Sequence, residues 1–200
     1  MPCAGVPDEM TVDTRVRADY LTNNFLYNSS RVTHEGTEMN EDYQSRMTLK
    51  APADDVFDAL TNVESLSAWW TPVEGSGLTG GELIFTFGPG STAVMRVDAA
   101  ERGVGVVWTN IACMMDDWVG TTIHFDLRST PAGDTDLYFR HVGLTPRLDC
   151  YSDCKSGWDH FIPTSLRHYV ETGTGDPNGS NADLARRRVR EQERTAVDAG

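Results

Sequence analysis

The chain has 200 residues, 39% of them hydrophobic, which suffices for one ordinary core with tails. With 30 Asp and Glu against 17 Lys and Arg, the formal charge of −13 argues against nucleic acid and anionic membranes as partners, since both need clustered basic groups. No stretch approaches the ~18 apolar residues of a membrane-spanning helix, and "MPCAGVPDEM" lacks the basic and apolar regions of a signal peptide, so the expected location is cytoplasmic.

Residues 1–45 are polar and acidic, with no sustained periodicity apart from "YLTNNFLY". They are expected to form a disordered or loosely docked arm, and Met39 and Met47 behind it are alternative starts. "QSRMTLKA" alternates like a strand. "PADDVFDALTN" follows as a helix: Pro52 suits the first turn, Asp54 and Asp55 its positive end, and Val56, Phe57 and Leu60 an apolar stripe. "VESLSAWW" predicts a second short helix, stopped by Thr71-Pro72.

Strand candidates then come in series: "GELIFTFG", "STAVMRVDAA", "GVGVVWTNIA", "GTTIHFDLRS" and "TDLYFRHVG", separated by turn clusters such as "GPG", "ERG" and "TPAGD". The fold class is α+β, with helices gathered on one face of a meandering antiparallel sheet. Leu83, Phe85 and Phe87 share one face of their strand. Ile123, Phe125 and Leu127 lie opposite His124, Asp126 and Arg128, and Leu137, Phe139 and His141 share a third face. That aromatic side needs a cover, and the helix expected from about Gly157 to Thr172 is the amphipathic element left for it. Pro163 interrupts this helix. It either starts a fresh helix or kinks a continuous one and frees the carbonyl of Asp159; the common phase of Trp158, Phe161, Ile162, Leu166 and Tyr169 favours the kink. Beyond it, "GTGDPNGSNAD" is a linker and "DLARRRVREQERTAVD" a charged helix former with almost no apolar face, either a solvated helix or a basic patch for a partner.

"APADDVFDALTNVESLSAWWTP", "ERGVGVVWTN", "LYFRHVGL" and "GWDHFIPTSLRHYVETGTGDP", in that order, resemble the START-like or SRPBCC helix-grip proteins. Within them the match is to bacterial relatives of the activator of the 90-kDa heat-shock-protein ATPase. The paired tryptophans, "HVGL" and the "GW…L..Y.ETG.G.P" ending carry it. The resemblance implies a curved antiparallel sheet of about seven strands wrapped around a long C-terminal helix, two short helices after the first strand, and an apolar cavity between sheet and helix. It divides the chain into the arm 1–45, an AHSA-type domain 46–175, and a linker with charged tail 176–200. Relatives use the cavity for lipids, hormones or polyketides. The eukaryotic co-chaperone adds a separate N-terminal domain, which the short polar arm cannot replace.

Candidate cavity residues are Trp69, Trp70, Phe85, Phe87, Trp108, Phe125, Phe139, His141, Trp158, Phe161, Ile162 and Tyr169. Each is either core or part of a ligand-facing wall, since small-molecule sites are mostly aromatic with few polar groups. Adjacent Trp69 and Trp70 on one short helix should diverge, one packing and the other staying partly exposed. His141 is either hydrogen-bonded core or the contact that orients a ligand. Its strand neighbours Asp136 and Arg140 point the other way, leaving no catalytic pair. Cys150, Cys154 and His160 are weak metal candidates, because C-x3-C-x5-H fits no zinc pattern; a redox disulfide or two reduced thiols are the alternatives. No cofactor is expected. The expected function is non-catalytic binding of an apolar or amphipathic small molecule, with a co-chaperone-like protein-interaction module and a cyclase-like enzyme as alternatives.

Overall fold

The computed structural model describes residues 42–198, so the readings made for the arm before residue 42 lie outside it. Strand β1 spans Tyr43–Leu49, followed by α1 (Ala53–Thr61) and α2 (Val63–Trp69). Strands β2 (Val73–Gly75), β3 (Glu82–Gly88), β4 (Ser91–Glu101), β5 (Gly105–Cys113), β6 (Thr122–Ser129) and β7 (Thr135–Val142) complete one sheet. Its order is β1-β7-β6-β5-β4-β3-β2, antiparallel throughout.

Local chemistry sets the elements. Val56, Phe57 and Leu60 form the buried stripe of α1, with Asp54 and Asp55 in its first turn. Asn62 ends α1 and caps α2, its side chain accepting from the backbone N–H groups of Glu64 at 2.8 Å and Ser65 at 3.2 Å. On the sheet, the register sets Phe125 opposite Phe139, Trp108 opposite Ile123 and Phe85 opposite Ala93, which gathers the apolar side chains on the concave face.

The covering helix begins at Tyr151, six residues before the expected start. Its opening turns escape an apolar-stripe reading because only Cys154 and Trp158 bury side chains there before His160. It runs as α3 (Tyr151–His160), a π-helical segment (Phe161–Leu166) and α4 (Arg167–Thr172). Backbone dihedrals stay in the right-handed region at His160, Phe161, Leu166 and Arg167, so Pro163 neither starts a new helix nor breaks this one. The wider π turn, with its i→i+5 bonding, absorbs a residue that has no N–H to donate.

Gly173 ends α4 in the left-handed conformation at φ 81°, its N–H bonded to the Tyr169 carbonyl at 2.7 Å. The chain then presses onto α2: a Cβ on Gly175 would lie 2.5 Å from the Ala68 carbonyl oxygen, so no side chain fits. The Asn178 N–H donates to the Trp70 carbonyl at 2.6 Å. The segment expected to be a plain linker is therefore docked, and it delivers α5 (Asn181–Asp198) to the domain. Among the described residues no helix is long and apolar enough to cross a membrane.

Candidate functional site

Trp69 and Trp70 are both at most 1% exposed, contrary to the expectation that one stays partly open. Trp69 donates its indole N–H to the Ala59 carbonyl at 2.8 Å and so belongs to the α1–α2 packing. Trp70 follows the last turn with φ −114° and ψ −79°, out of regular helical phase, which lets both rings face inward. Its ring meets Phe85 at 4.3 Å, Trp158 at 4.9 Å and Phe87 at 5.8 Å, centroid to centroid.

Beneath Trp70 the aromatic rings pack against one another. Trp108 meets Phe125 at 5.0 Å, Phe125 meets Phe139 at 5.1 Å, and Phe139 meets Trp158 at 4.8 Å. Phe85, Trp108, Phe125 and Phe139 are fully buried in this layer. Ile162 is likewise buried, and Tyr169 donates its hydroxyl to Ser65 Oγ at 3.0 Å.

A cleft of about 340 Å³ lies at one end of this aromatic layer. Trp70, Phe87, Trp158 and Phe161 from the expected set line it. Met114, Met115 and Trp118, from the turn after β5, form a second wall, and Cys154 and Gly157 present the face of α3. Trp118 stacks on Trp158 at 6.1 Å and 12°. Sequence reasoning passed over "CMMDDWVG" because a turn carries no periodicity; its one signal is two Met and a Trp where polar turn residues are usual.

His141 is fully buried behind that wall. The indole N–H of Trp158 donates to its Nδ1 at 3.0 Å, which makes Nε2 the protonated nitrogen; Nε2 donates to Thr121 Oγ1 at 2.9 Å, and the threonine hydroxyl in turn donates to the Trp118 carbonyl at 2.6 Å. Burial, with His124 adding to it, pushes the imidazole down to about 3. Both ring nitrogens are engaged, so His141 positions Trp158 and the Trp118 turn from behind the cleft. The Trp118 indole N–H donates to Cys154 Sγ at 3.1 Å, and burial pushes that thiol up to about 12, which keeps it protonated. His160 pairs with the Asp176 carbonyl at 3.0 Å through Nε2. Among the described residues no three His, Cys, Asp or Glu side chains are placed to hold a metal.

The remaining wall comes from α5, whose Arg186, Arg187, Arg190 and Arg194 line the cleft with Glu191. Their anchor is Asp183, a fully buried carboxylate. Burial alone would raise its pKa, but the Gly179 N–H at 2.9 Å, Arg186 at 2.7 Å and Arg187 at 2.8 Å outweigh that and hold it below the usual carboxylate range. Arg186 also donates to Ser156 Oγ at 2.7 Å, and Arg190 pairs with Asp153, so α5 is fastened to α3 along the rim of the cleft. The expected charged helix forms, and most of its side chains are exposed, but Asp183 is buried and the arginine face of the helix borders the cleft.

Solved structures with the same architecture include the Aha1 dimer from Colwellia psychrerythraea, 27% identical over 68% of this chain and 99% of that one, with a TM-score of 0.60. CalU16 from Micromonospora echinospora is 17% identical over 77% of this chain and 86% of that one, TM-score 0.54. A conserved protein of unknown function from Enterococcus faecalis is 18% identical, covering 88% of this chain and 98% of that one, TM-score 0.56. No curated protein matches. Residues 50–171 match the family model described as "Activator of Hsp90 ATPase homolog 1-like protein". With the curved seven-stranded sheet gripping the helix from Tyr151 to Thr172, the chain belongs to this family of AHSA-type helix-grip proteins.

Proposed function

We propose that the domain binds an apolar or amphipathic small molecule, without catalysis, in the cleft between the Trp118 turn, α3 and α5. Family membership supports a ligand-binding or co-chaperone-like domain, and the cleft itself carries the choice between them. Its volume of about 340 Å³ falls at the lower end of the ~300–1,000 Å³ typical of small-molecule sites. Its walls are mainly aromatic and sulfur-bearing, and their rotamers are fixed by the Trp158–His141 and Trp118–Cys154 hydrogen bonds. His141 behind the cleft is neutral and engaged at both nitrogens, which fits binding better than acid–base chemistry.

A co-chaperone-like reading draws on a different observation. Ile111, Met114 and Val119 are 37%, 44% and 49% exposed, on two strands of chain tied together by the Asn110–Thr121 and Gly120–Asn110 backbone hydrogen bonds. Such an apolar rim suits a weak protein contact.

Titration with dodecanoic acid, progesterone and quercetin, followed by tryptophan emission and melting temperature, tests the proposal. Binding should perturb Trp70, Trp118 and Trp158 and raise the melting temperature by mass action. No response to any of the three, with a loss of partner capture on Ile111→Ser, would transfer the function to the rim.

A further inference from the structure

The cleft lining is mainly apolar where β3, the Trp118 turn and α3 supply it and mainly cationic where α5 does, and this asymmetry names a ligand class. We infer that its ligand is an aromatic acid: a flat apolar body against Trp118, Trp158 and Phe161, and a carboxylate turned toward Arg190 and Arg194 of α5. The inference rests on the cleft being a binding site at all, as proposed above.

The charges support it. Four guanidinium groups border the cleft, and they face three carboxylates, Asp153, Glu191 and the buried Asp183. Four against three leaves one positive charge in excess, on a chain whose formal charge is −13. The pairs are not equivalent. Asp183 is fully buried and holds Arg186 and Arg187 together, so those two are structural. Arg194 and Glu191 are 63% and 65% exposed, and Asp153, the partner of Arg190, is 71% exposed. Pairs exposed to water on at least one side contribute little, so a ligand carboxylate can displace them at little cost, the Arg194 pair more readily than that of Arg190, which is 28% exposed. A guanidinium then offers it two parallel N–H donors in the fork that matches a carboxylate. The body is aromatic because five aromatic side chains, Trp70, Phe87, Trp118, Trp158 and Phe161, line the cleft, and aromatic rings pack favourably on one another by face or edge.

The spacing of the arginines shows that the arrangement is built into the helix. Arg186, Arg190 and Arg194 recur every four residues, so one face of α5 runs them along the rim.

A matched pair of probes tests this: 2-naphthoate and the neutral 2-naphthalenemethanol, titrated by calorimetry into the full chain. Naphthoate should bind at least ~10-fold more tightly, and raising salt should weaken naphthoate alone. Arg194→Gln and Arg190→Gln should each narrow that gap, and Arg194→Lys should restore part of it. Glu191→Gln should tighten naphthoate binding by freeing Arg194, a sign that a merely structural role for these residues does not produce. Equal affinity for the two probes, or a gap unchanged by both arginine substitutions, would overturn the assignment while leaving the cleft a binding site. Binding of neither probe, here or in the ligand series above, would remove both readings.

Discussion

The indole N–H of Trp158 donates to Nδ1 of His141 across the interface of helix and sheet, at 3.0 Å. This bond joins α3 to β7 and fixes the tautomer of a fully buried imidazole. It also sets a pH dependence. His141 is pushed down to about 3, first by burial, and His124 to about 4, by burial and then by the Arg140 guanidinium. In the unfolded chain both titrate near 6.5. Between that pH and their folded values the unfolded state binds more protons, so stability is greatest above pH ~6.5 and declines as the pH falls, by ~1.4 kcal/mol per pH unit for each histidine. Urea unfolding at pH 7.0 and 5.0 should show this decline, and His141→Asn, which keeps an acceptor for the Trp158 N–H, should reduce its slope by about one proton. A slope unchanged in that variant would mean that His141 is protonated in the fold.

Ser165 is a second fastening. Its buried hydroxyl donates to the Trp69 carbonyl at 2.5 Å and accepts the Asp176 N–H at 2.7 Å. It thus joins the π segment, the end of α2 and the segment leading to α5. Ser165→Ala leaves that N–H and that carbonyl without their partner, and should cost ~1–3 kcal/mol. The loss should register as faster hydrogen exchange at Asp176 and Asn178 before any change in the sheet.

Asn110 gives the opposite sign. It is 1% exposed, on the concave face beside Met95, and within the domain its amide finds at most the Cys113 thiol, a weak partner that does not replace an amide–carbonyl hydrogen bond. An unpaired buried amide carries its desolvation penalty uncompensated, whereas an apolar side chain of similar size does not. Asn110→Leu should therefore leave the melting temperature unchanged or raise it. A fall of several degrees would show that the amide is satisfied in solution.

The strands, the first two helices and the aromatic face were legible because period-two alternation and the capping residues are local signals. Phe85, Phe125 and Phe139 stand on the face that alternation assigned to them. The cleft was less legible because it depends on depth. Alternation tells which way Phe139 points, but not that Trp158 packs on it or that a cleft opens beside Met115 and Trp118. The start of the long helix at Tyr151 was hidden by its polar first turns, and the role of Pro163 by a π turn that has no sequence signature. The arginine face of α5 was visible as a spacing, yet only Asp183, a carboxylate buried at the foot of an otherwise charged helix, turns that spacing toward the domain.

The most direct measurement concerns Gly157, which lines the cleft in the middle of α3. A Cβ there would lie 3.9 Å from the Phe161 ring, an ordinary contact, so Gly157→Ala should fit and stabilise by up to ~1 kcal/mol through helix propensity. Gly157→Met extends a longer side chain into the cleft while the aromatic layer beneath stays as it is. Titrating 2-naphthoate, dodecanoic acid, progesterone and quercetin into wild type and Gly157→Met, with tryptophan emission as readout, tests whether this cleft is the binding site. The account predicts that at least one probe binds wild type and is weakened ~10-fold or more in Gly157→Met, at undiminished folding stability. Unchanged affinity in that variant, or no binding to wild type, would contradict it.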